Sequence, residues 1–176
     1  NNPARLRFRD VQRRFDRAAA SFDDADFVHR LTFDGLVDRL LPVAANPAVV
    51  LDLGSATGSG SRQLAKIYRK ARIVSADISL PMLLRGKKQK SWFSKVSAMQ
   101  ADARRIPLQS GSVDMVFANM LLPWVDDLAT VFTELARVLR KGGVVVFSTL
   151  GPDSLAELRA AWGSQGMRSK RSSTAT

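Results

Sequence analysis

The chain has 176 residues, 45% hydrophobic and 24% charged, enough for one globular domain with a real core but not for two. Lysine and arginine number 27 against 16 acids, a formal charge of +11, with one histidine and no cysteine. Disulfide frameworks, thiolate metal sites, iron–sulfur clusters and cysteine nucleophiles are therefore excluded, and multi-histidine metal centres have little room. No apolar run approaches the roughly 20 residues that span a bilayer, and the opening residues carry arginine where a signal peptide has its apolar core. These features imply a soluble chain of the cytoplasm, or of the mitochondrion in a eukaryote, and a start at Asn1 implies a trimmed or partial product.

Val11, Phe15, Ala18, Ala19 and Phe22 recur at helical spacing between arginines, and Phe27, Leu31, Leu36, Val37, Leu40 and Leu41 predict a second amphipathic helix ended by Pro42 and Pro47. The texture then changes. The apolar run Val49–Leu53 predicts a first strand, followed by a helix from about Ser59 to Lys70. Ile73–Asp77 predicts a second strand, followed by the helical start Pro81-Met82-Leu83-Leu84, and a weaker third covers Val96 to Ala101. Val113 to Asn119 is a fourth, followed by a helix from about Leu128 to Leu139. Val144 to Leu150 is a fifth, followed by a last helix from Pro152 to about Trp162. Short apolar strands alternating with helices predict βαβ units, hence an α/β fold with a parallel sheet covered on both faces. The organisation is a helical cap over residues 1–45, a sheet domain over 46–162 and a basic, disordered Gly/Ser/Arg/Lys tail over 163–176.

The first strand runs into Gly54-Ser55-Ala56-Thr57-Gly58-Ser59-Gly60 and then a helix. In an open parallel sheet a ligand sits there, outside the carboxyl ends of the strands, facing backbone amides and a helix N-terminus. Alone, the loop could equally be a tight turn; the absence of Gly-Lys-Ser/Thr argues against a nucleoside-triphosphate loop. Asp77 ends the second strand, where a carboxylate can accept two hydrogen bonds from a ribose diol; the plainer alternative is a helix cap, since Ser79 and Pro81 follow. Asp102, after the third strand, either meets an adenine amine or pairs with Arg104 or Arg105. Asn119 closes the fourth strand on the same crevice. Four strands each delivering glycine or a polar residue to one edge are far more specific than any one of them.

At Leu51-Asp52-Leu53-Gly54 with Gly58, Asp77-Ile78-Ser79 with Met82-Leu83, Asp102-Ala103 with Ile106-Pro107-Leu108, Ser112-Val113-Asp114-Met115-Val116, and Leu139 with Gly142-Gly143, the chain resembles the class I S-adenosylmethionine-dependent methyltransferases. That likeness covers roughly Val49 to Thr149. Arg14-Phe15-Asp16-Arg17-Ala18, Asn119-Met120-Leu121-Leu122-Pro123-Trp124 and Phe147-Ser148-Thr149-Leu150-Gly151-Pro152 resemble, more narrowly, the malonyl-acyl-carrier-protein O-methyltransferases of early biotin synthesis, over about Val11 to Trp162.

The resemblance implies a Rossmann-like sheet of about five strands in the order 3-2-1-4-5. S-adenosylmethionine would be held by Asp52, Gly54, Ser55, Ala56 and Gly58 at its methionine end and by Asp77 at the ribose. Ile78 and Met82 would sandwich the adenine, Asp102 and Ala103 would meet its amine edge, and Asn119 and Leu122 would lie beside the sulfonium. Phe22, Leu122 and Trp124 are candidates to line the pocket. The reaction would be methyl transfer to the free carboxylate of a malonyl thioester, which is already deprotonated, so no acid or base is assigned. The sequence departs from the pattern in three places. Ala56 stands where glycine is usual, Phe22 where tyrosine is common, and the C-terminal strands and lid of the family are missing, which leaves an edge strand open.

The basic residues cluster as Arg5, Arg7, Arg9, Arg13, Arg14 and Arg17, as Arg85, Lys87, Lys88, Lys90 and Lys95, and as Arg168, Lys170 and Arg171. Such runs are commonly solvated faces; they also steer polyanions, and the resemblance supplies an acidic acyl carrier protein as partner. No membrane partner is implied, and nucleic acid is disfavoured because Trp92 and Phe93 are the only stacking platforms in the Lys-rich segment. Two other readings compete with the enzyme. One is an assembly or binding protein without methyl transfer, like the complex I assembly hydroxylase, and the other is a nucleic-acid methyltransferase. His29 reads as a surface or capping residue, and Trp124 as packing near the crevice.

Overall fold

A computed structural model describes residues 8–40, 46–89 and 95–150. The helix predicted over Pro152–Trp162, the basic tail and Arg5, Arg7, Lys90, Arg168, Lys170 and Arg171 of the basic clusters lie outside the described residues. Within them, the elements are α1 (Phe8–Ala18), a 3-10 turn (Phe22–Asp24), α2 (Phe27–Leu40), β1 (Val49–Leu53), α3 (Ser59–Ile67), β2 (Arg72–Asp77), α4 (Leu80–Lys88), β3 (Val96–Gln100), β4 (Val113–Ala118), a second 3-10 turn (Leu122–Trp124), α5 (Leu128–Val138) and β5 (Leu139–Phe147). The five strands form one sheet in the order β3-β2-β1-β4-β5, every neighbouring pair parallel. This is the α/β, Rossmann-like architecture expected of the sequence.

The strands read as apolar runs because the inner ones are buried on both faces. All six residues of β4 are buried, and β1 is buried from Val50 onward. Alternation then sorts side chains between two cores. Leu51, Leu53, Val116 and Ala118 face Val131, Leu135 and Val138 of α5, while Val50, Met115 and Phe117 face Phe33, Leu36 and Leu40 of α2 and Leu64 of α3. A buried carboxylate ties the strand starts together. Asp114 accepts hydrogen bonds from the Ala48 and Val49 amides, each 2.6 Å, and pairs with Arg140 at 2.5 Å.

Two expectations need correcting. Phe27 and Leu31, counted on the apolar face of α2, are 67% and 62% exposed, and the anchor is Phe33, 3% exposed, tilted against Phe117 with ring centroids 5.1 Å apart. The helix carries apolar residues around most of its circumference, so spacing alone does not select the buried stripe. Second, β5 starts at Leu139 instead of Val144: Val113 pairs with Leu139 and Met115 with Val144, an irregularity that absorbs Gly142 at φ +79°. Among the described residues no helix is long and apolar enough to cross a membrane.

Candidate active site

The C-terminal ends of β1, β2 and β4 open into one cleft. The chain leaves β1 through Gly54, whose φ of +77° suits glycine, and whose Cβ, were there one, would lie 3.1 Å from Leu121. Ala56 follows at φ +48°, the left-handed region that costs an L-residue about 1–2 kcal/mol. The usual glycine is absent, and the conformation that glycine serves is kept. What holds it is Asp77, whose Oδ2 accepts the Ala56 amide at 2.8 Å. Gly58, at φ +72°, then caps α3 without a side-chain hydrogen bond.

Asp77 is buried at the end of β2, with Oδ1 accepting the Ser79 amide at 2.8 Å. Burial raises its carboxyl above the ordinary range, against these backbone hydrogen bonds. The N-cap of α4 is Ser79, whose Oγ accepts from Met82 N and donates to Asp16 of α1, so capping leaves Asp77 free to face the cleft. Asp52 lies deeper, bonded to Ser61 Oγ at 2.5 Å, and burial pushes its carboxyl up to about 7. Ser55 is buried and accepts from Ser75 Oγ at 2.8 Å.

A cleft is lined by Gly54, Ala56, Asp77, Ile78, Asp102, Ala103, Asn119 and Trp124 together with Phe8, Val11 and Phe15 of α1. Helix α1 is its roof, fixed by Gln12 Nε2 donating to Ile78 O at 3.3 Å and by Phe15 edge-on to Trp124 at 5.1 Å. Arg104 stacks over the Phe8 ring 4.7 Å from its centroid while its guanidinium grips Asp102, 2.8 Å between Nη2 and Oδ2. Of the two readings of Asp102, the ion pair is therefore present; the carboxylate still borders the cleft. At the loop's far side Asp23 accepts Thr57 Oγ1 at 2.5 Å, Gln89 Nε2 at 2.9 Å and Arg85 Nε at 3.0 Å. Burial works against the Asp23 charge, but these donors outweigh it and lower the carboxyl. Gly86 backs α4 directly onto this loop: a Cβ there would fall 2.4 Å from Thr57 O.

Of the predicted residues, Phe22, Gly54, Ala56, Asp77, Ile78, Asp102, Ala103, Asn119 and Trp124 line the cleft; Asp52 and Ser55 line an adjoining recess, Gly58 a groove beside α4, and Met82 and Leu122 line none of these. Met82, expected against the adenine, is fully buried and does not line the cleft, because the Ser79 cap turns it inward. Leu122, expected beside the sulfonium, is also buried; it opens a 3-10 turn, where about 120° separates successive residues, so Leu121 faces Gly54 in its place. His29 is not a surface residue. It is half-buried on the cleft wall, edge-on to Phe22 at 5.1 Å, and burial lowers its pKa. The sequence signal for it was weak: only its placement on α2, held where Asn119 Nδ2 donates to His29 O at 2.8 Å, brings it in.

A family profile described as a methyltransferase domain matches residues 51–147, over half of the chain. The chain belongs to the methyltransferase-domain family. Among its relatives, the malonyl-[acyl-carrier protein] O-methyltransferase of Halorhodospira halophila is 39% identical over 156 residues, which is 89% of this chain and 53% of that protein. The chain spans about half the length of the curated relatives it matches. Among solved structures, a Haloferax volcanii methyltransferase in complex with the Trm112 activator superposes with a TM-score of 0.68 at 26% identity, over 78% of this chain and 59% of that one. An S-adenosylmethionine-dependent methyltransferase of Mesorhizobium loti superposes at 0.59 and 28% identity, over 68% and 53%. The methyltransferase-domain match spans β1 to β5, so the cleft lies inside the family's shared unit.

Proposed function

We propose that this methyltransferase domain binds S-adenosylmethionine in the cleft roofed by α1 and serves methyl transfer to the free carboxylate of a malonyl thioester on acyl carrier protein, an early step of biotin synthesis in the cytoplasm. The observation that carries the reading is Asp77: a buried carboxylate, its side chain fixed by two backbone amides, facing a cleft that the glycine loop enters at Gly54 and Ala56. Such an acceptor suits vicinal hydroxyls, since a fixed carboxylate loses little entropy on bonding them.

The residues fit the cofactor. Asp77 would hold the ribose, Ile78 and Ala103 would flank the purine with Phe8 and Val11 closing over it, and Gly54 to Gly58 with Asp52 and Ser55 would receive the methionine end. When bound, the cofactor supplies a sulfonium methyl group that a carboxylate oxygen can accept. The chain's own contribution is alignment and dryness. Phe15, Phe22, Leu121 and Trp124 keep water from the wall beside Asn119, and Asn119 is locked by donating to His29 O and accepting from Ser148 Oγ at 2.7 Å. A carboxylate nucleophile needs no general base, and none is assigned.

The acidic carrier fits a basic exterior: Arg9, Arg13, Arg14 and Arg17 on α1 and Lys87 and Lys88 on α4 are exposed close to the cleft's roof. The tests are calorimetric titration with S-adenosylhomocysteine and transfer of labelled methyl to malonyl-acyl carrier protein. Saturable binding with transfer supports the reading; no heat at high micromolar ligand overturns the cofactor site, and binding without transfer overturns the substrate.

A further inference from the structure

Most polar side chains of the cleft are already committed within the fold. Both oxygens of Asp77 accept backbone amides, from Ala56 and Ser79. Arg104 grips Asp102 through Nε and Nη2 and reaches Asp126 at 3.5 Å. Asn119 donates to His29 O and accepts from Ser148 Oγ, and Phe22 has no hydroxyl to offer. The Trp124 indole is packed edge-on with Phe15 under the roof. His29 differs from all of these. Among the described residues neither nitrogen of its half-buried ring has a hydrogen bond, and neither is sealed from solvent. An unbonded donor on a concave wall is the kind of group that fixes a ligand's orientation.

The charge of the acceptor sets the requirement. Asp77, Asp102 and Asp126 line this cleft, and its one guanidinium, Arg104, is already paired with two of them. A malonyl carboxylate brought here is repelled unless a donor meets it, because an ionised carboxylate leaves water at a high cost when nothing bonds it. His29 stands where the cleft meets the adjoining recess, a junction it shares with Phe22, Gly54, Ala56 and Asn119. That is the side, beside Asn119, where the reading above sets the reacting methyl. We infer that the His29 imidazole donates a hydrogen bond to one oxygen of the acceptor carboxylate and leaves the other oxygen to attack. The assignment rests on the carboxylate-methylation reading and names the residue that receives its substrate. The unbonded oxygen forms a bond to the methyl carbon, the carbon–sulfur bond breaks with its electron pair left on sulfur, and no proton moves. The bond from His29 then runs to a neutral ester instead of an anion and is weaker, so the same residue holds the acid and releases the product. Burial lowers the pKa of the ring, against the pull of Asp26 beside it, which favours an uncharged donor. An imidazolium would hold the carboxylate more firmly and blunt its attack.

The experiment compares His29→Phe, which removes the donor, with His29→Gln, which keeps an N–H, both in the whole chain. With malonyl-acyl carrier protein as acceptor, KM rises about ten- to a hundredfold in His29→Phe, as loss of a hydrogen bond to a charged group requires. His29→Gln recovers most of that loss, and S-adenosylhomocysteine binds both variants as it binds the unaltered chain. A second readout needs no turnover. The chain has a single histidine, so its ring signals in a proton–nitrogen NMR spectrum are unambiguous. With S-adenosylhomocysteine present, malonyl-pantetheine shifts them, and the methyl ester of that thioester shifts them far less. The ring signals decide the matter should His29→Phe fail to fold. An unchanged KM in His29→Phe, equal losses in the two variants, or ring signals indifferent to the malonyl carboxylate overturn the assignment. So does a KM that moves in Trp124→Phe and not in His29→Phe. If the unaltered chain binds S-adenosylhomocysteine but does not methylate the carrier, the substrate reading falls; if it methylates the carrier and His29→Phe does so at the same KM, the His29 assignment alone falls.

Discussion

The two flanks of the sheet are finished in different ways. Beside β2, α1 and the turn after it settle on the cleft through polar side chains reaching across the fold: Asp16 to Ser79, Gln12 to Ile78, and Asp23 to Thr57, Arg85 and Gln89. Beside β5, large apolar side chains are exposed among the described residues. Phe132 and Phe147 touch ring to ring with centroids 6.0 Å apart, 41% and 43% exposed. The first flank is covered by groups that need exact partners, the second shows oily area that needs only something to lie against it. The contrast locates specificity on the β2 flank and adhesiveness on the β5 flank.

Substitutions can break that contrast, and the largest effect falls at the polar flank. Gly86→Ala drives a methyl into the Thr57 carbonyl, where only backbone could yield, and loses about 3 kcal/mol of stability by denaturant unfolding. Asp52→Asn comes next. Its carboxyl is raised from 3.8 to about 7, so the fold favours the protonated form; that stability is whole below pH 3.8 and drains away as pH rises through about 7. The asparagine variant therefore shows a flatter melting-temperature profile over this window, and parallel profiles would contradict the assignment. Asp23→Ala removes three hydrogen bonds from a partly exposed carboxylate, costs about 1–2 kcal/mol, and weakens S-adenosylhomocysteine by loosening Thr57. Phe132→Ser has the smallest effect, about 1 kcal/mol in unfolding from loss of the Phe147 ring contact, with reduced self-association by light scattering. A large destabilisation there would mean the open flank is packed after all.

The same contrast explains what could be read before the fold was known. Strands β1, β2 and β4 were legible because burial on both faces leaves unbroken apolar runs, and Asp77 and Asn119 because they end such runs. Strand β3, at an edge with three of its five residues exposed, read faintly for the same reason. The cleft residues on helices and turns were less legible. Leu121 and Leu122 are adjacent apolar residues, and only the turn geometry decides which one faces Gly54. Phe33 looks no different from Phe27 until α2 is docked against Phe117.

Asp114 sets a timetable. The amides of Ala48 and Val49 that it receives stand 66 and 65 residues earlier in the chain. Bringing ends that far apart together costs on the order of 4 kcal/mol in loop-closure entropy. During synthesis, α3 and α4 can wind from local contacts as they emerge and β2 can pair with β1 from Val49 to Leu53, but the Ala48 and Val49 amides have no carboxylate until β4 arrives. Until then a growing chain holds a first strand paired on one side only, and the interval between the emergence of Asp77 and that of Asp114 is when its other edge is open to mispairing.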